Sequence, residues 1–266
     1  MLMNKKLKVI VTGATGMVGE GVLHECLKHP FIDKVLFVGR RSCGVQHEKL
    51  HEVLLNDFLK PEQLAHDLIG YDACLFCLGV SSISLKEPEY FKLTYQLTTA
   101  FAKTFLQASP DSSFVYVSGA GTDSSEQGKS MWARVKGKTE NDLLRMGFRK
   151  AFMFRPGYIQ PIPGMKFTLP MYRYVKWSYP FLRKAFPKYV SALEEIGLAM
   201  IHCIRMGYPQ NVLEVSDINQ AAANEQEWLK HPSNLYPTEK VENNSDENSG
   251  SGILPDRDLK KNLGCG

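Results

Sequence analysis

Three glycines spaced Gly-x-x-Gly-x-x-Gly, at Gly13, Gly16 and Gly19, are the residues of this chain best suited to cradle a ligand. They follow a β-branched run, Val9–Thr12, and lead into a helical pattern carried by Val18, Val22, Leu23, Cys26 and Leu27. In a strand–turn–helix setting that spacing has a mechanism. Gly13 can take the tight turn, Gly16 lets a pyrophosphate approach the backbone, and Gly19 lets the helix pack close to the strand. The helix N-terminus adds unpaired N–H groups and a positive dipole end. Gly13, Ala14, Thr15, Gly16, Met17, Val18 and Gly19 therefore predict a dinucleotide site, with a plain tight strand–helix connection as the alternative.

A second group with chemical potential lies further along. Ser118 closes a strand beside Gly119 and Gly121, where its hydroxyl can donate a hydrogen bond into a crevice. It lacks the preceding glycine of a nucleophile elbow, which speaks against a hydrolase. Trp132 and Lys136, four apart, share a face of the next helix. Cys74 and Cys77 have C-x-x-C spacing but fall on a strand, where residues three apart point to opposite faces; core packing is expected and a metal is not.

These residues need a frame, and the hydrophobic pattern supplies one. Strands are predicted at Lys34–Gly39, Glu52–Asn56, Tyr71–Gly79, Ser113–Ser118 and Lys150–Gly157, alternating with helices at Pro61–Ile69, Pro88–Ser109 and Ser130–Met146. A further helix, Ser191–Met206, and a final strand, Val212–Ser216, follow. Such alternation predicts an α/β fold with a doubly wound parallel sheet, the Rossmann arrangement. Each loop beyond a strand's carboxyl end is then a candidate for the cofactor. The second strand ends in Gly39-Arg40-Arg41 with no carboxylate before Glu48. Two guanidiniums there suit a 2′-phosphate, so NADP is expected in preference to NAD. Asp57 can accept from an adenine amino group while Phe58 covers the ring, or Asp57 can simply form the turn. Leu78 and Gly79 follow the fourth strand, where the sheet edge passes the cofactor.

The chain divides into a nucleotide-binding core over 1–157, a substrate or lid region over 158–223 that completes the sheet, and a flexible tail over 224–266 rich in Asn, Ser and Glu. Aromatics interleaved with Lys and Arg over 166–190 allow a peripheral membrane or partner contact. The 266 residues carry a formal charge of +4, with 44% hydrophobic and 23% charged residues, giving no reason to expect nucleic-acid binding. Six scattered cysteines without a disulfide rhythm, no apolar run of membrane-spanning length, and an N-terminus running straight into the first strand lead to an expectation of a cytoplasmic protein.

Val11–Gly19, Gly39-Arg40-Arg41, Asn56-Asp57-Phe58, Ser118-Gly119 and Arg155-Pro156-Gly157 together resemble the short-chain dehydrogenase/reductase superfamily. More narrowly, they resemble its atypical and extended NAD(P)-binding branch of epimerase/dehydratase-like and Tat-interacting oxidoreductase-like proteins. The resemblance implies Ser118 and Lys136 as catalytic residues, Lys136 also as a ligand of the nicotinamide ribose, and Arg155 and Pro156 within the cofactor site. It also implies a homodimer. It departs in one place: the catalytic Tyr of a Tyr-x-x-x-Lys pair is Trp132, whose indole donates but does not titrate usefully. An oxidoreductase or epimerase-like enzyme acting on a small carbonyl or alcohol is expected, with Ser130, Tyr158 or a water as substitute proton source. The alternative is a non-catalytic NADP-binding regulator or scaffold.

Overall fold

The computed structural model describes residues 5–162, 164–167, 183–186 and 188–231. Seven strands make one parallel sheet: β1 (Leu7–Thr12), β2 (Ile32–Gly39), β3 (Leu50–Leu54), β4 (Ala73–Phe76), β5 (Ser113–Val117), β6 (Lys150–Phe154) and β9 (Val212–Leu213), in the order β3-β2-β1-β4-β5-β6-β9. β7 (Tyr158–Gln160) and β8 (Val190–Ala192) form a separate parallel pair. The order reverses between β1 and β4, and the crevice beyond their carboxyl ends is where such sheets take ligands.

Alternation along the strands explains the two-sided core. Val9, Val11, Val35, Phe37, Leu75 and Phe154 face one layer, while Ile10, Leu36, Phe76, Phe114 and Met153 face the other. The first layer is closed by α1 (Met17–Lys28), α5 (Leu193–Arg205) and α6 (Val215–Leu229). The second is closed by α3 (Leu97–Ala108) and α4 (Met131–Arg145). Cys74 is buried in the second layer and Cys77 packs against the first, so the C-x-x-C pair splits across the sheet as its spacing required.

Several expected boundaries move. β3 begins two residues earlier than predicted, leaving Asn56–Phe58 beyond its carboxyl end. Pro61–Ile69 forms only a 3₁₀ turn, Pro61–Leu64. The long helix over Pro88–Ser109 is α2 (Glu87–Phe91), one π-helical turn (Lys92–Gln96), then α3. The final strand keeps only Val212 and Leu213, because Asp217 turns back to accept from the Glu214 N–H at 3.1 Å and starts α6. The expected tail boundary at 224 falls inside α6, where Ile218, Ala221, Ala222 and Glu225 line one buried face. A charged residue on that face hid its periodicity. Residues 232–266 and most of the aromatic–basic stretch over 166–190 lie outside the described residues.

Glu225 is fully buried and ties α6 to α5 and to the residue that follows α1. It hydrogen-bonds with His29 Nε2 at 3.1 Å and His202 Nδ1 at 2.9 Å, and accepts from Arg205. The Arg205 guanidinium lies 4.4 Å from the Phe31 ring centroid and 4.0 Å from that of Trp228. Burial alone would raise the Glu225 pKa; hydrogen bonds from His202 and His29 and the charge of Arg205 outweigh it and hold the carboxyl at about 2. A depressed carboxyl pKa contributes stability that is fully present above the unfolded value of 4.5 and drains as pH falls towards about 2. Urea unfolding of wild type should therefore weaken steeply across that window. Glu225→Gln should be less stable at neutral pH and show a flatter pH dependence. Parallel curves for the two proteins would refute the role of this carboxylate.

Candidate functional site

The glycine turn forms as its spacing requires. Gly13 sits at φ +73°, and a Cβ there would lie 2.7 Å from the Cys77 carbonyl carbon. A Cβ on Gly19 would lie 2.2 Å from the Gly13 carbonyl oxygen, so only glycine lets α1 start this close to β1. Gly16 is extended at the N-cap of α1 and donates to Gly13 O at 2.9 Å. Thr12 Oγ1 accepts from Leu78 N at 3.2 Å, tying the end of β1 to the loop after β4.

A cleft of 590 Å³ opens at this seam. Thr15, Gly16, Met17 and Val18 line it from α1, and Cys77 and Gly79 from the end of β4. Ser118 and Pro156 line it from just beyond β5 and β6, and Lys136 from α4. A smaller cavity of 150 Å³ is lined by Arg40, Asn56, Asp57, Phe58 and Leu78, with Leu93 and Leu97 from the π-helical turn and α3. Val80 lines both. Two expected halves of a dinucleotide site thus adjoin. Asp57 is exposed on the smaller cavity while its Oδ1 accepts from Leu59 N at 2.9 Å, so it forms the turn and faces the cavity at once. Phe58 is buried against Phe101, with ring centroids 5.8 Å apart. Ala14 is buried in the turn, and Arg41 is exposed and lines neither cavity.

Ser118 is 6% exposed. Its hydroxyl points at Glu140, with the Phe154 carbonyl at 3.1 Å as a further acceptor, so its one proton is already committed. Towards the cleft it can offer lone pairs. Lys136 Nζ donates to the Ser118 carbonyl oxygen. Burial lowers the Lys136 pKa to about 8, against the opposing pull of Glu140. Trp132 does not line the cleft; its ring edge lies 3.6 Å from where a Cβ on Gly121 would stand.

Arg155, expected to touch the cofactor, is drawn behind the cleft instead. It donates to both carboxylate oxygens of fully buried Glu140, to Glu214 at 3.1 Å and to Ser124 Oγ at 2.6 Å. A guanidinium this far from water needs such partners. Glu140 was not anticipated. Its signal is the spacing Trp132–Lys136–Glu140, which puts three functional side chains on one face of α4.

Glu52 was missed as well. It accepts from Ser42 Oγ at 2.7 Å and Cys43 N at 2.9 Å, placing a carboxylate against the loop that follows Arg40 and Arg41. In sequence it lies beyond the loop, but in space β3 brings it beside β2.

The profile of the NAD dependent epimerase/dehydratase family matches residues 9–131. FMP52-2, a mitochondrial protein of Scheffersomyces stipitis, is 28% identical over 151 residues, covering 56% of this chain and 65% of that protein. HTATIP2 of Rattus norvegicus is 26% identical over 153 residues, covering 57% and 62%. The match therefore spans just under two thirds of either relative. Among solved structures, the Bordetella bronchiseptica enzyme WbmF in complex with NAD+ superposes with a TM-score of 0.57 at 14% identity, covering 96% of this chain and 83% of that one. Uronate dehydrogenase from Agrobacterium tumefaciens gives 0.57 at 14%, covering 78% and 75%.

Two expectations are corrected by these matches. Preference for NADP over NAD does not stand, because the matching profile is NAD-dependent and the WbmF complex holds NAD+. The inference from Arg40 and Arg41 assumed a loop without a carboxylate, and Glu52 supplies one. The cytoplasmic expectation does not stand either, since the FMP52 relatives are mitochondrial proteins. Among the described residues, no helix is long and apolar enough to cross a membrane.

Proposed function

We propose, for a chain that has the NAD(P)-binding fold of the epimerase/dehydratase family and is related to Tat-interacting-protein-like homologues, an NAD-dependent oxidoreductase or epimerase-like activity on a small carbonyl or alcohol. The observation that carries this reading is one cleft shared by the Gly16 helix terminus, Ser118 and Lys136. Gly13–Gly19 would hold the pyrophosphate, with Arg40, Asp57, Phe58 and Leu78 around the adenosine end and Gly79 and Pro156 along the cofactor's path. Lys136 would hold the nicotinamide ribose. The dinucleotide supplies hydride exchange when bound. With its hydroxyl donating to Glu140, Ser118 is suited to accept from a substrate hydroxyl. An indole stands where a tyrosine is expected. Among the described cleft residues, Lys136 is then the group whose proton exchanges near neutral pH.

Titration of the purified protein with NADH, followed by quenching of tryptophan emission, tests the reading. Saturable binding is expected, weakened about tenfold in Lys136→Met, as for loss of one charged hydrogen bond. Carbonyl reduction should decline as pH rises through about 8, where Lys136 loses its proton. Failure of wild type to bind NADH would remove the basis of the proposal.

A second reading, a nucleotide-binding regulator without turnover, is favoured by Trp132 and by the committed Ser118 proton. NADH binding without its oxidation across a broad carbonyl panel would select it.

A further inference from the structure

Glu20 stands in the first turn of α1, only 4% exposed, and its carboxylate takes no part in the cofactor roles above. Its two oxygens accept separate backbone N–H groups, from Lys166 at 2.8 Å and from Phe167 at 2.9 Å. The Lys166 side chain continues across to the carbonyl oxygen of Gly44, at 3.2 Å, in the loop that follows Arg40 and Arg41. Ile162 and Met165 pack on the core beneath, and Phe167 lines the cleft together with Gly16, Met17 and Val18. The short segment 164–167 is thus a strap. It is bolted to the helix whose N-terminus faces the cleft, and to the loop at the adenosine end.

A buried carboxylate beside a pyrophosphate-binding helix terminus is costly unless it is fully hydrogen-bonded, and it would repel the phosphates if left bare. Both difficulties are met by the strap's N–H groups. We propose that Glu20 is a positioning residue that holds the 164–167 strap, and with it Phe167, over the bound dinucleotide, so that it governs the nucleotide's dwell time rather than its chemistry. This rests on the dinucleotide reading of the cleft.

Stopped-flow displacement of bound NADH tests it. Glu20→Ala should raise the dissociation rate constant about tenfold or more, as for loss of two charge-assisted hydrogen bonds. Glu20→Gln, which keeps one acceptor oxygen, should give an intermediate rise. Association should not slow, because entry retraces the path of escape past the same strap. A dissociation rate within twofold of wild type in Glu20→Ala would overturn the proposal. So would equal rises in Glu20→Ala and Glu20→Gln. If Glu20→Ala does not fold, amide hydrogen exchange of the wild-type protein decides. Lys166 and Phe167 should exchange slowly, and more slowly still with NADH bound; no effect of NADH on either amide would overturn the strap. Wild type that binds no NADH at all would instead remove the underlying reading, so the two failures are distinct.

Discussion

Glu140→Ala is expected to remove roughly 3–5 kcal/mol of stability, the usual cost of stripping one partner from a buried ion pair. Glu140 is fully buried, and its carboxylate is the meeting point of Ser118, from the end of β5, and Arg155, just after β6. Without it, Arg155 keeps Glu214, but that partner is half exposed and screens poorly for a charge this deep. For a chain of this size the loss corresponds to a fall in Tm of about 6–20 °C. Glu140→Gln should lose less, since its one amide oxygen can still accept from Ser118 and Arg155 Nε, while its NH2 then faces the donor at Arg155 Nη2. The same variant probes Lys136. Glu140 is the group that opposes the burial of that ammonium. Its neutralisation should lower the Lys136 pKa and move the pH dependence of NADH binding to more acidic values. Urea melts and a pH series of titrations read the two effects separately. A Glu140→Ala protein within about 1 kcal/mol of wild type would show that the network is dispensable to the fold.

Gly137→Ala is expected to be nearly as damaging, although alanine is the better helix former by about 1 kcal/mol. A Cβ at this position would lie 1.8 Å from the carbonyl oxygen of Asp123 and 2.5 Å from its carbonyl carbon. Those atoms are backbone and cannot rotate aside, so α4 or the Asp123 loop must withdraw. Overpacking of this kind costs roughly 1–3 kcal/mol and sometimes more, and the hard neighbour argues for the upper end. Steric cost therefore exceeds the gain in helix propensity. Withdrawal would also carry the adjacent Lys136 away from the Ser118 carbonyl, so NADH affinity should fall together with Tm. An unchanged or raised Tm would mean that α4 can slide without penalty.

The strands and the glycine turn were legible because each obeys a local rule. β1, β2 and β4 carry uninterrupted apolar runs, as strands buried on both faces must, and Gly13 and Gly19 stand where any side chain would collide. Ser118 and Lys136 were legible as candidates, and the structure brings them into contact. What escaped were carboxylates whose partners are remote in sequence. Glu52 reaches the Arg40–Cys43 loop only because β3 pairs with β2, and Glu20 meets Lys166 from 146 residues away in sequence and Phe167 beside it. Arg155 is placed at the cofactor by the family resemblance alone. The buried carboxylate that claims it lies on a neighbouring helix. Glu225 interrupted an otherwise apolar helix face, and three partners from elsewhere in the fold were needed to explain it.

The contact between His29 and Glu225 also bears on synthesis. α1 is complete by Lys28, yet its cover is α5, where Gly21 abuts Leu193 and Gly197 abuts Glu25, and His29 just beyond it waits for Glu225 of α6. At ribosomal speeds roughly 10–40 s separate the emergence of the first helix from that of the last. Throughout that interval the nascent chain carries the apolar side of α1, including Val22, Leu23 and Cys26, without its final neighbours. Nascent chains arrested before residue 193 should therefore recruit hydrophobic-surface chaperones, and arrest beyond residue 231 should release them. Equal chaperone occupancy at both arrest points would show that α1 finds other shelter on the way.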